Sequence, residues 1–173
     1  MTRLESGAIA PNRQLIDVSD VVATALNRAV RILSGRHVML DIASDVPMLR
    51  LDPVLLEQVL FNLVDNAAKY APGNSDIRIR GWREHNLVRL SVMDEGTGIP
   101  AADVERIFDK FYRVHATDRK TAGTGLGLAV CRGFVEAMGG TIAAGNRTDR
   151  AGAIFTISFP VPADEPAQAP EPA

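Results

Sequence analysis

Glu57-Gln58-Val59-Leu60-Phe61-Asn62-Leu63-Val64-Asp65-Asn66-Ala67-Ala68-Lys69-Tyr70 reads as a two-sided helix. Leu56, Val59, Leu60, Leu63, Val64 and Ala67 recur at helical spacing and make an apolar, core-facing side. Asn62 and Asn66, four residues apart, share the opposite face, and Lys69 and Tyr70 continue that stripe one turn on. Asp52-Pro53 supplies a helix start with proline at the first helical position, and Ala71-Pro72-Gly73 supplies the stop. Asparagine is a mediocre helix former because its amide competes for backbone hydrogen bonds, so two at this spacing need a reason. One reading is a solvated polar face; the other is a set of amide oxygens able to hold a hard cation and its phosphates.

Working outward, helices and strands alternate. Asp17–Leu33 carries Val18, Val21, Val22, Ala25, Leu26, Ala29, Ile32 and Leu33 at helical spacing. Val38, Leu40 and Ile42 alternate with His37, Met39 and Asp41 as in a strand, and Met48–Leu51 is a short extended piece. Ile77–Arg83 and Leu87–Met93 form two strands joined across Glu84-His85-Asn86 as a hairpin. Pro100–Phe108 reads as a short helix and Gly125–Met138 as a longer one, closed by Gly139-Gly140. Thr141–Ala144 and Ala153–Phe159 complete the set as strands. The mixture predicts an antiparallel or mixed sheet with helices on one face.

The 173 residues suit one domain with a real core. Nineteen basic against 21 acidic residues give a net charge of −2, which argues against a binder of phosphate backbones. The single cysteine, Cys131, excludes an internal disulfide or a cysteine-rich metal site. No apolar run approaches the 18 or so residues of a membrane span and no signal peptide opens the chain, so the expectation is a soluble, intracellular chain. Five of the ten prolines fall in the last 14 residues, PVPADEPAQAPEPA, which predicts a disordered tail over 161–173. Residues 1–8, MTRLESGA, resemble the last turn of a helix whose start lies elsewhere.

Two further motifs carry chemistry. Asp94-Glu95-Gly96-Thr97-Gly98-Ile99-Pro100 places a carboxylate at the end of a strand, followed by glycines that leave backbone close to whatever the carboxylate binds. A plain turn between strand and helix is the rival reading. Gly123-Thr124-Gly125-Leu126-Gly127-Leu128 offers backbone N–H groups at a helix start, a natural phosphate site. It is neither the dinucleotide fingerprint, given its G-x-G-x-G spacing and the polar HATDRKTA before it, nor a Walker loop, since Gly-Lys-Ser/Thr is absent.

In this order and spacing, Asn-x-x-x-Asn-Ala-x-Lys-Tyr, Asp-x-Gly-x-Gly-Ile, Ile-Phe-Asp-Lys-Phe-Tyr-Arg (107–113) and Gly-Thr-Gly-Leu-Gly-Leu resemble the N, G1, F and G2 boxes of the ATP-binding catalytic domain of sensor histidine kinases. IFDKFYR, GTGLGLAVCR and GGTIAAGNR are most similar to the Kdp-type potassium-responsive branch. The resemblance covers about residues 1–160 and implies the Bergerat ATP-binding fold, an α+β two-layer sandwich with a mixed five-stranded sheet backed by three helices. It divides the chain into 1–8, the end of a preceding dimerisation helix; 9–160, the catalytic domain; and the 161–173 tail.

The resemblance also implies ATP and Mg²⁺ as ligands, and roles for residues. Asn66 is the Mg²⁺ ligand, supported by Asn62; Lys69 meets the phosphates and Tyr70 the adenine. Asp94 accepts the adenine amino group, with Gly96 and Gly98 letting the base approach and Ile99 beside them. Lys110 and Arg113 stand near the phosphates. Gly123, Thr124, Gly125, Leu126, Gly127 and Leu128 wrap the phosphate tail as part of a mobile lid from about Val114 to Ala122. No residue of the last strand stands out as an adenine contact, Thr156 being the nearest choice. The phosphoacceptor histidine would belong to a separate dimerisation domain, because His37, His85 and His115 lack the required helical context. The implied partners are that domain and a response regulator, not nucleic acid. The parent would be a dimer anchored in the bacterial inner membrane, and the isolated chain a monomer in the cytoplasm.

Glu95 and Thr97 depart from the family's usual Asn and Pro, and an extra carboxylate beside the loop could weaken nucleotide binding. Two alternatives follow: a lapsed nucleotide-binding or interaction module of the same fold, and an ATPase of the same superfamily. The second is disfavoured by Asn62, which stands where those enzymes carry a water-activating Glu.

Overall fold

The structure is a computed structural model in which residues 9–112 and 127–162 are described. Seven strands and three α-helices occupy these residues: β1 Gln14–Ile16, α1 Val18–Arg28, β2 Val38–Ile42, β3 Leu49–Leu51, α2 Pro53–Tyr70, β4 Ile77–Glu84, β5 Leu87–Met93, α3 Gly127–Ala137, β6 Thr141–Asn146 and β7 Ala153–Pro160. The main sheet has the order β2-β4-β5-β7-β6, with β2 parallel to β4 and every other pair antiparallel. It is the expected mixed five-stranded sheet with three helices on one face. β1 and β3 form a separate two-stranded antiparallel ribbon.

The local starts follow the chemistry of their caps. Asp17 accepts from the Ser19 N–H and opens α1, and Asp52 accepts from Val54 and Leu55 N–H to open α2 behind Pro53. Asp52 also takes the Asn12 N–H on its other oxygen, which ties the entering chain to the start of α2. The buried stripe of α2 is the six residues given by its periodicity: Leu56, Val59, Leu60, Leu63, Val64 and Ala67. They face Ile77 and Ile79 of β4, Val88, Leu90 and Val92 of β5, and Phe155, Ile157 and Phe159 of β7 in one continuous core. α2 lies between α1 and α3, so its polar edge and C-terminal end are left at the rim of the sheet.

Several boundaries differ from expectation. α1 ends at Arg28 rather than Leu33, because the Ala29 N–H is shared between the Ala25 and Leu26 carbonyls and the chain tightens into turns. Ala29 and Leu33 still reach the core. Pro100–Phe108 is not one helix but two short 3₁₀ turns, Ala101–Asp103 and Arg106–Phe108, whose Ile107 and Phe108 are buried. Just after β7, Val161 packs on the core and its N–H donates to the Asn86 carbonyl at 2.7 Å. Residues 1–8 and 163–173, and with them most of the expected terminal segments, lie outside the described residues.

Candidate nucleotide-binding site

The C-terminal end of α2 and the loop leaving β5 enclose a cleft, completed by β7 and the start of α3. Its walls include Asn66, Tyr70, Asp94, Gly96, Thr97, Gly98, Ile99 and Leu128, and it encloses about 630 Å³ counting its open mouth.

Asp94 stands at the floor. It is 3% exposed, a costly place for a carboxylate unless hydrogen bonds compensate. Its Oδ1 accepts from the Gly96 N–H at 2.8 Å and from the Ala153 N–H at 3.1 Å. Among the described residues nothing donates to Oδ2, which leaves that oxygen for a donor in the cleft. The carboxylate is therefore both part of the fold and part of the cleft.

The glycines of this loop answer to protein contacts. A Cβ on Gly96 would lie 2.6 Å from the Tyr70 carbonyl oxygen, and one on Gly98, whose φ is +82°, would lie 2.5 Å from Asn146 Oδ1. Both residues line the cleft, but their need for glycine arises from protein atoms alone, where the loop is pressed between α2 and β6.

The polar stripe of α2 divides. Asn66 and Tyr70 line the cleft. Asn62 is not among its lining residues: its Oδ1 accepts from Gln58 Nε2 at 2.8 Å and its Nδ2 donates to the Gly127 carbonyl at 3.4 Å, joining α2 to the first residue of α3. Lys69 is turned aside too, its Nζ 2.9 Å from Asp65 Oδ2 one helical turn back. Lys110 does not line the cleft. Leu128 does, and a Cβ on Gly127 would meet nothing within 4 Å. Arg113, Gly123, Thr124, Gly125, Leu126 and the expected lid from Val114 to Ala122 lie outside the described residues.

Glu95 does not crowd the cleft with charge. Its Oε1 is 2.7 Å from Arg150 Nη1, and this carboxylate partner holds the Arg150 pKa above its ordinary value. On the last strand, Ala153 and Phe155 face the cleft. Thr156, the nearest choice from sequence where none stood out, points to the other side of the sheet, since alternate residues of a strand face opposite ways. Tyr112 and Ile107 are cleft residues that sequence reasoning quoted only as part of a motif. The Tyr112 hydroxyl donates to Asp103, and that bond holds its pKa above the ordinary phenol value.

The other residues set apart in the sequence are elsewhere. Cys131 is fully buried against α2. Trp82 stacks under the Arg80 guanidinium, and His85 sits in the β4–β5 turn with φ 56°. Among the described residues no group of three or more His, Cys, Asp or Glu side chains could hold a metal ion, and no helix is long and apolar enough to cross a membrane.

Comparison with known proteins shows the family and the fold. The family model described as "Histidine kinase-, DNA gyrase B-, and HSP90-like ATPase" matches residues 51–163. The sensor protein KdpD of Escherichia coli K12 is 36% identical over 160 residues, covering 92% of this chain but 18% of KdpD, so the chain spans under a fifth of that relative's length. The structure of the mycobacterial sensor histidine kinase MprB superposes with a TM-score of 0.75 at 25% identity, covering 86% of this chain and 97% of that one. Full-length ShkA in complex with AMPPNP gives 0.78 at 27% identity, covering 91% of this chain and 33% of that one. The chain therefore belongs to the histidine kinase-, DNA gyrase B- and HSP90-like ATPase family, as an ATP-binding catalytic domain of the sensor histidine kinase type.

Proposed function

We propose that the cleft binds Mg-ATP with the adenine amino group on Asp94 Oδ2, and that the domain presents the γ-phosphate to a histidine on a separate dimerisation domain of its parent protein. The observation that carries this reading is the half-used carboxylate of Asp94: buried, with Oδ1 committed to two backbone N–H groups and Oδ2 open to the cleft. A donor on the ligand would complete its hydrogen bonding, and the adenine amino group is such a donor. ShkA, whose full-length structure is in complex with AMPPNP, shares this fold, which supports a nucleotide as the ligand.

From Asp94 the cleft runs past Tyr70 and Asn66 toward the start of α3. Tyr70 would pack against the base. Asn66 would offer an amide oxygen to Mg²⁺, a cation that takes most of its other ligands from substrate phosphates and water. Bound Mg²⁺ would neutralise charge on the phosphates. Lys69 would leave Asp65 to reach them, joined by Arg113 and Lys110, while the backbone N–H groups from Gly123 to Gly127 hold the phosphate tail. An imidazole nitrogen of the dimerisation domain would form the new P–N bond as the bond to the β,γ-bridging oxygen breaks and ADP leaves. A response-regulator aspartate would take the phosphoryl group next, and the parent would be a membrane-anchored dimer. Asn62, held by Gln58 and Gly127, is an amide and no base, so the site lacks a group there to activate water for hydrolysis.

Calorimetric titration of Mg-ATP into wild type and Asp94→Asn tests the pocket. A charge-assisted hydrogen bond is worth roughly 1.5–3 kcal/mol, so the mutant should bind about ten- to over a hundred-fold more weakly. Equal affinity would remove Asp94 from the site. Labelled ATP together with an added dimerisation domain then tests transfer to histidine.

A further inference from the structure

The loop from Asp94 to Ile99 is fastened at both ends by one hairpin, the turn between β6 and β7. At its start, the Asp94 N–H donates to the Ala153 carbonyl at 3.1 Å, the Ala153 N–H returns a bond to Asp94 Oδ1, and Arg147 Nη1 donates to the Asp94 carbonyl at 3.2 Å. The turn runs so close over this carbonyl that a Cβ on Gly152 would lie 1.9 Å from its oxygen.

At the far end a single side chain does the fastening. Asn146 Oδ1 accepts from the Ile99 N–H at 2.6 Å, and Asn146 Nδ2 donates to the Ile99 carbonyl at 2.8 Å. The amide thus pairs with one residue's N–H and C=O together, as a neighbouring strand would. Among the described residues no backbone group takes either bond in its place, and Pro100, next in line, has no N–H to offer. Only a side chain with a donor and an acceptor side by side can do this.

The anchor is itself held by side-chain bonds. The Arg147 side chain is 4% exposed, and its Nε and Nη2 donate to Asp149 Oδ1 and Oδ2 at 3.0 and 2.9 Å. Between the fixed ends lie Gly96, Thr97 and Gly98, all of which line the cleft.

We propose that Asn146 and Arg147 are positioning residues of the nucleotide site: they hold the Asp94–Ile99 loop at the height where Asp94 meets the base and Gly98 and Ile99 form its bed. The proposal rests on the assignment of the adenine to Asp94. It predicts that Asn146 acts on base recognition and not on phosphate binding, which takes place at the other end of the cleft.

The experiment is calorimetry on the 173-residue chain with three ligands: Mg-ATP, the Mg complex of purine riboside triphosphate, which lacks the 6-amino group, and Mg-tripolyphosphate. Wild type, Asn146→Ala, Asn146→Asp, the turn variant Thr148→Ala and Asp94→Asn are compared. Asn146→Ala should weaken ATP about tenfold, narrow the gap between ATP and the purine riboside nucleotide, and leave tripolyphosphate unchanged. Asn146→Asp keeps the acceptor for the Ile99 N–H and loses the donor, so it should fall between, and it serves if the alanine variant does not fold. Thr148→Ala should match wild type. If Asp94→Asn loses ATP while both Asn146 variants bind it like wild type, or if the Asn146 variants weaken all three ligands alike, the positioning role is overturned and the adenine site stands. If Asp94→Asn binds ATP like wild type, the adenine assignment itself fails and takes the proposal with it.

Discussion

Tyr70, the last residue of α2, and Gly96, the first glycine of the loop after β5, are in backbone contact: the Tyr70 carbonyl oxygen stands 2.6 Å from where a Cβ on Gly96 would be. The obstacle is backbone at the end of an 18-residue helix, which cannot rotate away as a side chain would. Gly96→Ala must therefore displace the loop. It should cost about 1–3 kcal/mol in urea denaturation without any nucleotide present, in the range of overpacking changes, and it should weaken Mg-ATP as well. Full stability with lost ATP binding would show that the glycine serves the ligand alone.

Asp94 separates two kinds of loss. Asp94→Asn retains an oxygen for the Gly96 and Ala153 N–H groups, so the melting temperature of the free chain should move little. Asp94→Ala strips both buried donors of their partner and should destabilise by about 2–4 kcal/mol. Thermal denaturation of the two variants side by side checks this.

Arg36 closes α2 from outside. Its Nη2 donates to the Ala68 and Ala71 carbonyls at 2.7 and 3.0 Å, and its Nη1 to Pro72 at 2.7 Å. A cation on these unpaired carbonyls also offsets the negative end of the helix. Arg36→Met should cost about 1–3 kcal/mol in chemical denaturation. Because the same turn carries Tyr70, hydrogen exchange of its amides should rise in the variant.

Glu95 should be harmless to nucleotide binding. Its partner Arg150, 2.7 Å away, takes up the charge at the loop's outer side. Glu95→Asn should change the Mg-ATP dissociation constant by less than about threefold, since exposed pairs are worth under about 1 kcal/mol. A tenfold gain in affinity would show that the carboxylate reaches the ligand.

Cys131 gives a pH signature. Burial pushes its thiol up from 9.0 to about 12. Below pH 9 both folded and unfolded chains hold the proton and its contribution to stability is complete. Between 9 and 12 only the unfolded chain releases it, so stability falls as pH rises through that window. Cys131→Ala should flatten this alkaline slope in denaturation curves. At pH 8 the native thiol should react with a maleimide only as fast as the chain opens.

Local rules carried much of the fold. The α2 periodicity, its Asp52-Pro53 start and the β4–β5 hairpin were legible because each is decided by residues close in sequence. Of the β1–β3 ribbon only the extended piece over Met48–Leu51 was legible; β1 and the pairing were not, since three residues carry little pattern and the partners lie about 35 residues apart. Pro100–Phe108 reads as a helix in sequence because its apolar spacing fits both a helix and two tight turns. On the last strand no contact stood out beyond Thr156 as the nearest choice, although the alternation of Phe155, Ile157 and Phe159 already places Ala153 and Phe155 on the cleft side.

The order and spacing of Asn66, Asp94 and the 123–128 glycines determined the family and the ligand class, because recognition chemistry needs particular atoms and those atoms are written in the residue types. Which of those residues reach the cleft was decided by tertiary structure. Lys69 turns to Asp65 and Asn62 to Gln58 and Gly127, choices among partners that helical spacing leaves equally open. Asn146, at the end of an edge strand, was visible only as part of the GGTIAAGNR stretch, which gave it no role. Its two bonds to Ile99 span 47 residues, and they exist because the pairing of β5, β7 and β6 brings that strand end alongside the loop.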